Sequence, residues 1–180
     1  MPISSSDIKI KLSIKTGSAG NSAAQPDPDA SLGKYISTTE ITVATLHNLF
    51  DRVSGDENSA GAVEYRLFFV HNAHATLTLQ DATVWISAEV AGGATAAFGA
   101  DTTAASAIGS AAAQALEVTN ETTAPAGISF STSTTKATGV NLGNISVGQC
   151  KAVWLRRTAN NSAAINNDGV TISIEGDTGA

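Results

Sequence analysis

The first part of the chain alternates between apolar and polar residues with a period of two. Isoleucine or leucine occupies every even position from 8 to 14, and the odd positions include Lys9, Lys11 and Lys15. Because successive side chains of a strand point to opposite faces, this pattern predicts a strand with one buried face and one basic, solvated face. Lysines on an outer face also discourage unwanted strand pairing. We therefore predict an edge strand whose three lysines are candidate partner contacts.

Two later segments, 64–88 and 140–158, share a second pattern. Each contains short apolar runs, a polar break and one of the two tryptophans. Runs rich in β-branched and aromatic residues, bounded by glycine, asparagine and serine, predict strands joined by tight turns. A strand that is apolar on both faces either lies centrally in a layered structure or has its outer face covered by a partner. The apolar face around Tyr65, Phe69 and Trp154 is our candidate for oligomer contacts.

Further strands are predicted at 35–43 and 170–174, which brings the total to about eight. We predict an all-β fold, an antiparallel β-sandwich of the Ig-like or jelly-roll type, over residues 34–180. Within it, residues 90–114 are mostly alanine, glycine and threonine and form a predicted insertion. Alanine favours a short helix at 105–116, and the neighbouring glycine and threonine equally allow an ordered loop.

Residues 1–33 are predicted to form an N-terminal strand and an extended arm. Pro26 and Pro28 lie in a stretch without hydrophobic periodicity and favour extended backbone before them. Two alternatives follow. Either the arm exchanges between subunits or anchors to a larger partner, with strand 8–14 added to a sheet edge there, or 8–14 is the first strand of its own sandwich and 16–33 is a surface loop.

Composition and charge exclude several classes of protein. With a net charge of −6 and ten basic residues, the chain lacks a nucleic-acid footprint. Its start lacks a signal-peptide pattern, and no run reaches the roughly 18 apolar residues of a membrane span. We expect a protein made in the cytoplasm that contacts neither nucleic acid nor membrane. Its single cysteine, Cys150, excludes an intrachain disulfide, and its 5% aromatic content predicts a thin core stabilised by oligomerisation.

Candidate chemistry is sparse. His71 and His74 lie three residues apart, but zinc needs three or four convergent ligands, so we interpret them as hydrogen-bonded turn histidines. Asp51 and Glu64 flank an acidic loop that lacks the spacing of a calcium loop. The chain has no glycine-rich phosphate loop and no nucleophile elbow. We predict no catalytic residue, no cofactor and no metal, and hence a protein that is not an enzyme.

One set of motifs extends from about residue 41 to the C-terminus. It comprises residues 64–86 with Val84-Trp85-Ile86, residues 124–130, the stretch 142–157 with Trp154-Leu155-Arg156-Arg157, and the closing strand 170–177. These motifs resemble a group of small virion proteins encoded near the capsid genes of tailed bacteriophages. The resemblance implies a head decoration, or cement, protein that binds the major capsid protein on the outside of the virion, as a homotrimer.

Two other functions stay open. The first is a tail, baseplate or fibre module of a phage that binds host-surface carbohydrate. The second is a carbohydrate-active enzyme, for which the sequence would have to contain a defined pair of catalytic acids. No such pair can be identified from the sequence.

Overall fold

The computed structural model describes residues 2–16 and 23–178. Within them lie nine strands and one short α-helix. They are β1 (Ile8–Ile14), β2 (Tyr35–Glu40), α1 (Gly55–Ala60), β3 (Val63–Asn72), β4 (Leu79–Glu89), β5 (Thr95–Ala100), β6 (Ser106–Ala107), β7 (Val140–Ile145), β8 (Gln149–Thr158) and β9 (Val170–Thr178).

The strands form two antiparallel sheets. The large sheet has the order β2-β1-β3-β8-β5, with β6 also paired to β8, and the small sheet has the order β7-β4-β9. The predicted all-β sandwich is therefore confirmed. No helix within the described residues is long and apolar enough to cross a membrane.

The two matched segments of the sequence form two arches that cross between the sheets. Strands β3 and β8 pair in the large sheet, while β4 and β7, their chain neighbours, pair in the small one. Asn72 is fully buried where the arches meet. The side-chain amide of Asn72 donates to the backbone carbonyls of Leu77 (2.8 Å) and Ile145 (2.9 Å). The backbone carbonyl of Asn72 accepts from the Gly148 amide (3.0 Å). The predicted strands are present, but their tight turns join strands of different sheets.

A hydrophobic core fills the space between the sheets. Alternate residues of the large sheet, such as Phe68, Val70 and Leu155, face Val84 and Ile86 of the small sheet. The rings of Phe68 and Phe98 meet edge to face, with centroids 6.2 Å apart. Burying each large apolar side chain contributes about 1.5–3 kcal/mol. This layer holds the two sheets together.

The opposite face of the large sheet is also covered, and by the chain itself. Its side chains, among them Leu67 and Trp154, pack against Leu116, Val118 and Ile128 from the long connection between β5 and β7. Residues 101–131 of this connection form a third layer, which we call the covering layer. The apolar residues on both faces of β3 and β8 are therefore explained without a partner, because these two strands lie in the middle of three layers.

The N-terminal strand lies inside the large sheet. β1 pairs with β3 along five residues and with β2 on its other side. Residues 23–33 also pack on the body: Ser31 is fully buried, and the Thr38 amide donates to the Ala23 carbonyl (3.0 Å). The described part of the predicted arm thus follows the second alternative, in which 8–14 is a strand of its own sandwich. Residues 17–22 of that arm lie outside the described residues.

The predicted insertion contributes to the sheet. Residues 90–114 contain β5, which pairs with β8 from Thr95 to Ala100, and the short β6. The helix considered at 105–116 does not form, because backbone amides of this stretch donate to other segments: that of Ile108 to the Gly148 carbonyl, and those of Gln114 and Ala115 to the Lys34 carbonyl. Helix α1 lies instead in the acidic loop after Asp51. It begins at a capping box in which Ser54 and Glu57 satisfy each other's backbone amides.

Candidate functional site

The three lysines predicted as partner contacts lie on or next to β1: Lys9 and Lys11 project from one face of the strand, and Lys15 follows its last residue. Lys9 is 3.7 Å from the Glu40 carboxylate, and Lys15 is 4.0 Å from that of Glu117. Lys11 lies opposite Phe69 in the neighbouring strand. Two of the lysines therefore already have anionic partners within the chain, at separations where exposed pairs contribute little stability. Their contact with another protein stays a prediction.

The three aromatic candidates lie mainly in the interior. Phe69 and Trp154 are both 0% exposed, beneath the covering layer. Tyr65 is half-buried, with its ring 5.5 Å from that of Phe130. The face around them is thus not available as a surface in this arrangement. The sequence predicts a partner surface here because it does not reveal that residues 101–131 fold back over these side chains.

A buried carboxylate attaches the covering layer to the sheet. Asp101 is 2% exposed, and its oxygens accept from the Trp154 indole (2.7 Å), the Leu116 amide (3.0 Å) and the Thr103 amide (2.8 Å). The Lys151 ammonium donates to the Asp101 carbonyl (2.7 Å). Burial lowers the pKa of Lys151, and the Asp101 charge opposes that shift. These contacts make Asp101 a structural anchor.

A buried amide gives the covering layer a second attachment. Gln114 is 2% exposed; its oxygen accepts from the Ile36 amide (3.0 Å), and its nitrogen donates to the Ala107 carbonyl (3.0 Å) and to the Cys150 sulfur (3.4 Å). Burial raises the pKa of the Cys150 thiol to about 12. Such a thiol stays protonated and is a poor nucleophile. Cys150 is therefore a buried residue of the core.

Acidic residues gather around two arginines at one end of the large sheet. Arg66 is fully buried, with its guanidinium 2.5 Å from Glu121 and 3.9 Å from both Asp29 and Asp51. Arg157 bonds to Glu64 and lies 3.1 Å from Asp51. The two guanidinium groups lie 5.2 and 4.7 Å from the centroid of the Phe50 ring.

This cluster is better explained by ion pairing than by metal binding. Asp51, Glu64 and Glu121 offer oxygens within 4.8 Å of one another, close enough for a cation. Arg66 and Arg157 already supply the positive charge at those oxygens, and a further cation there would be repelled. Burial raises the pKa of Glu64, with the Arg157 charge opposing the shift. We assign the cluster a structural role, joining the acidic loop to the sheet.

The two histidines have separate environments. The His74 ring accepts from the amides of Thr76 (3.1 Å) and Leu77 (3.0 Å), which confirms the interpretation as a turn histidine. His71 instead lies within β3 and is buried, and neither of its ring nitrogens has a hydrogen-bond partner among the described residues. The interpretation as a hydrogen-bonded turn histidine is therefore wrong for His71. Burial lowers the pKa of His71. The neutral imidazole is therefore favoured in the folded protein.

Among the described residues, the two most exposed large apolar residues lie on one loop, which the sequence did not single out. Between β2 and α1, the side chains of Val43 and Leu46 are 87% and 58% exposed. The Asn48 side chain closes the base of the loop by donating to the Thr42 carbonyl (2.9 Å). Behind it, Leu49 is buried in the core. We call residues 42–48 the apolar loop. The strand predicted at 35–43 ends at Glu40, before this loop, and the recurring apolar residues of the sequence do not reveal which of them are exposed.

The backbone of the apolar loop is held in an uncommon conformation. Ala44 and His47 both have positive φ, 55° and 57°. Non-glycine residues in this region cost free energy and persist where the surrounding structure holds them. Here the Asn48–Thr42 bond and the buried Leu49 supply that support. The loop therefore presents two aliphatic side chains in a defined arrangement, which suits binding rather than catalysis.

Comparison of the chain with protein-family models, with curated proteins and with solved structures found no match.

Proposed function

We propose that this protein is a non-enzymatic structural subunit of a bacteriophage virion that decorates the outer surface of the capsid. In this role it binds the major capsid protein, forms a homotrimer and stabilises the shell by bridging neighbouring capsomers. The resemblance of residues 64–86, 124–130 and 142–157 to small virion proteins supports the phage assignment. The observation that carries a binding role is the apolar loop.

The apolar loop has the properties of a docking element. Val43 and Leu46 expose aliphatic surface to water, and burying that surface against a partner is favourable. The closed base reduces the conformational freedom that would be lost on binding. A capsid offers many equivalent sites, so modest affinity at each site still gives high occupancy when subunits bind as connected oligomers.

The test is binding of the purified protein to capsids assembled from the major capsid protein of the phage that encodes it. Val43→Asp combined with Leu46→Asp should reduce co-sedimentation with capsids at least about tenfold, since two buried aliphatic contacts would be lost. Val147→Asp is the matched control, because Val147 is 41% exposed on a different turn. It should bind as the unaltered protein does.

The outcomes separate the candidate functions. Equal capsid binding by both variants would remove the apolar loop from the interface. No capsid binding by the unaltered protein, together with reproducible hits on a glycan array, would favour the tail or fibre module instead. Turnover of a polysaccharide by the purified protein would favour the carbohydrate-active enzyme. A gene position beside the capsid and protease genes would support decoration.

A further inference from the structure

The two sheets of the sandwich differ in width. The large sheet has five strands in its main order and the small sheet has three. On the β9 side, the small sheet ends while the large sheet continues. The inner face of β1 beyond that point carries Ile8 and Ile10, which are only partly buried. The small sheet therefore lacks a strand where the large sheet still presents an apolar surface.

An open groove marks the position of this missing strand. It has a volume of about 340 Å³. Its apolar lining consists of Ile3, Ile8, Ile10, Leu79, Ile172 and Ile174. Side chains that point inward from an added strand would enter this groove.

The backbone of β9 offers hydrogen-bonding groups toward the same position. The Ile86 amide donates to the Ser133 carbonyl, on the β7 side of β4. In an antiparallel sheet, the backbone groups of alternate residues bond to the strands on opposite sides. The backbone groups of Trp85 therefore face β9, where Trp85 lies opposite Ser173. The amides and carbonyls of Ile172 and Ile174 consequently point away from β4. Among the described residues, none of these groups has a backbone partner.

The two edges of the large sheet are better protected. The outer edge of β2 is covered at Thr38 by Ala23, and that of β5 is bridged in both directions between Phe98 and Ser131. Exposed edges are usually blocked by lysine, proline or a bulge. β9 contains neither lysine nor proline over its nine residues. This edge therefore lacks the lysine or proline that would block an added strand.

The solvent face of β9 indicates what kind of strand would fit. Glu175 and Asp177 project from it, with side chains 58% and 75% exposed. They share one cation, Lys136, at 2.6 and 4.0 Å. A net negative charge remains, which would be stabilised by basic side chains on the same face of an added strand.

We propose that the edge of β9 binds an extended segment of a partner protein whose side chains alternate between aliphatic and basic. The segment would add a fourth strand to the small sheet, with its aliphatic side chains in the groove and its basic side chains beside Glu175 and Asp177. The backbone groups of Ile172 and Ile174 would hold it in place. This binding site is separate from the apolar loop and does not depend on the partner being a capsid protein.

A second copy of this chain is a poorer occupant. If β9 paired with the β9 of another copy, the two small sheets would become continuous. Each large sheet extends beyond its own β9, with Ile8 and Ile10 lining the groove. The two large sheets would then meet in the same layer. An isolated extended segment avoids this overlap.

The first test uses a synthetic seven-residue peptide with valine at every second position and lysine between, added to the full chain. In hydrogen exchange, the amides of Ile172 and Ile174 should become protected, while those of the β7 edge should not change. A peptide with glutamate in place of lysine should bind at least about tenfold more weakly. A peptide of the same composition with its valines contiguous should not protect these amides.

The second test alters the protein. Ile172→Lys should weaken peptide binding about tenfold or more, because it places a charge in the groove. Thr171→Gln, on the solvent face of the same strand, should change binding less than about threefold. If Ile172→Lys does not fold, hydrogen exchange on the unaltered chain still tests whether the peptide binds at β9. No binding, equal binding of the glutamate peptide, protection at another edge, or self-association through β9 would each overturn the proposal.

Discussion

Asp101 shows how much of this structure depends on a single side chain. Its carboxylate accepts from three donors, one on the large sheet and two in the covering layer. In sequence it was one of 16 acidic residues without any distinguishing pattern. A buried carboxylate is stable only when hydrogen bonds or charges compensate for its lost hydration. Here three donors and the nearby Lys151 ammonium do so.

Replacing Asp101 by alanine should therefore lower the free energy of unfolding by about 3–5 kcal/mol, since it leaves buried donors without an acceptor. Urea unfolding followed by tryptophan fluorescence would measure the loss. Asp177→Ala is the control, because its side chain is 75% exposed, and should change the free energy by no more than about 0.5 kcal/mol. Equal effects of the two substitutions would show that Asp101 is not an anchor.

At the scale of elements, the covering layer approaches β5 closely at Gly99. A Cβ atom at Gly99 would overlap the Ile128 side chain and come within 2.9 Å of the Ser129 carbonyl oxygen. Gly99 lies opposite Trp154 in the large sheet. Only a residue without a side chain allows the layer to lie this close. The sequence contained 16 glycines and gave no reason to choose this one.

Gly99→Ala should destabilise the protein by about 1–3 kcal/mol, because the covering layer must move outward. The same change should speed proteolysis within residues 101–131. Gly55→Ala is the matched control: no atom lies within 4 Å of a Cβ built there, so stability should stay equal or rise by up to about 1 kcal/mol. Unchanged stability and proteolysis of Gly99→Ala would contradict the packing described here.

At the scale of the whole molecule, the N-terminal strand is part of the framework. β1 lies between β2 and β3, and Leu12 is buried in the core between the sheets. Removing it would expose the edge of β3 and detach β2 from the sheet. The prediction of an edge strand from the lysine pattern is therefore wrong. The lysines mark the outer face of an interior strand, where Lys9 pairs with Glu40.

Deletion of residues 1–33 should thus abolish cooperative unfolding rather than leave a folded domain. Far-ultraviolet circular dichroism and a urea titration would show the loss. Deletion of residues 1–3 is the control, since it stops before β1 and removes only Ile3 from the periphery of the core. A truncated protein that still unfolds cooperatively would favour the alternative in which the arm exchanges between subunits.

Local patterns in the sequence determined the strands. The period of two at 8–14 and the apolar runs in 64–88 and 140–158 each produced a strand, because alternation and β-branched side chains act over a few residues. The capping box at Ser54 was also present in the sequence, and it would have located α1 within the acidic loop.

Tertiary structure decided which sheet each strand joins and what covers it. The sequence did not show that the turns after β3 and β7 cross between sheets, or that Trp154 lies beneath residues 101–131. These outcomes depend on bonds between distant residues, such as that of the Trp154 indole with Asp101, 53 positions away. The exposure of Val43 and the open edge of β9 were hidden for the same reason. The solvent exposure of a residue depends on how distant segments of the chain pack around it, and only the tertiary structure determines that packing.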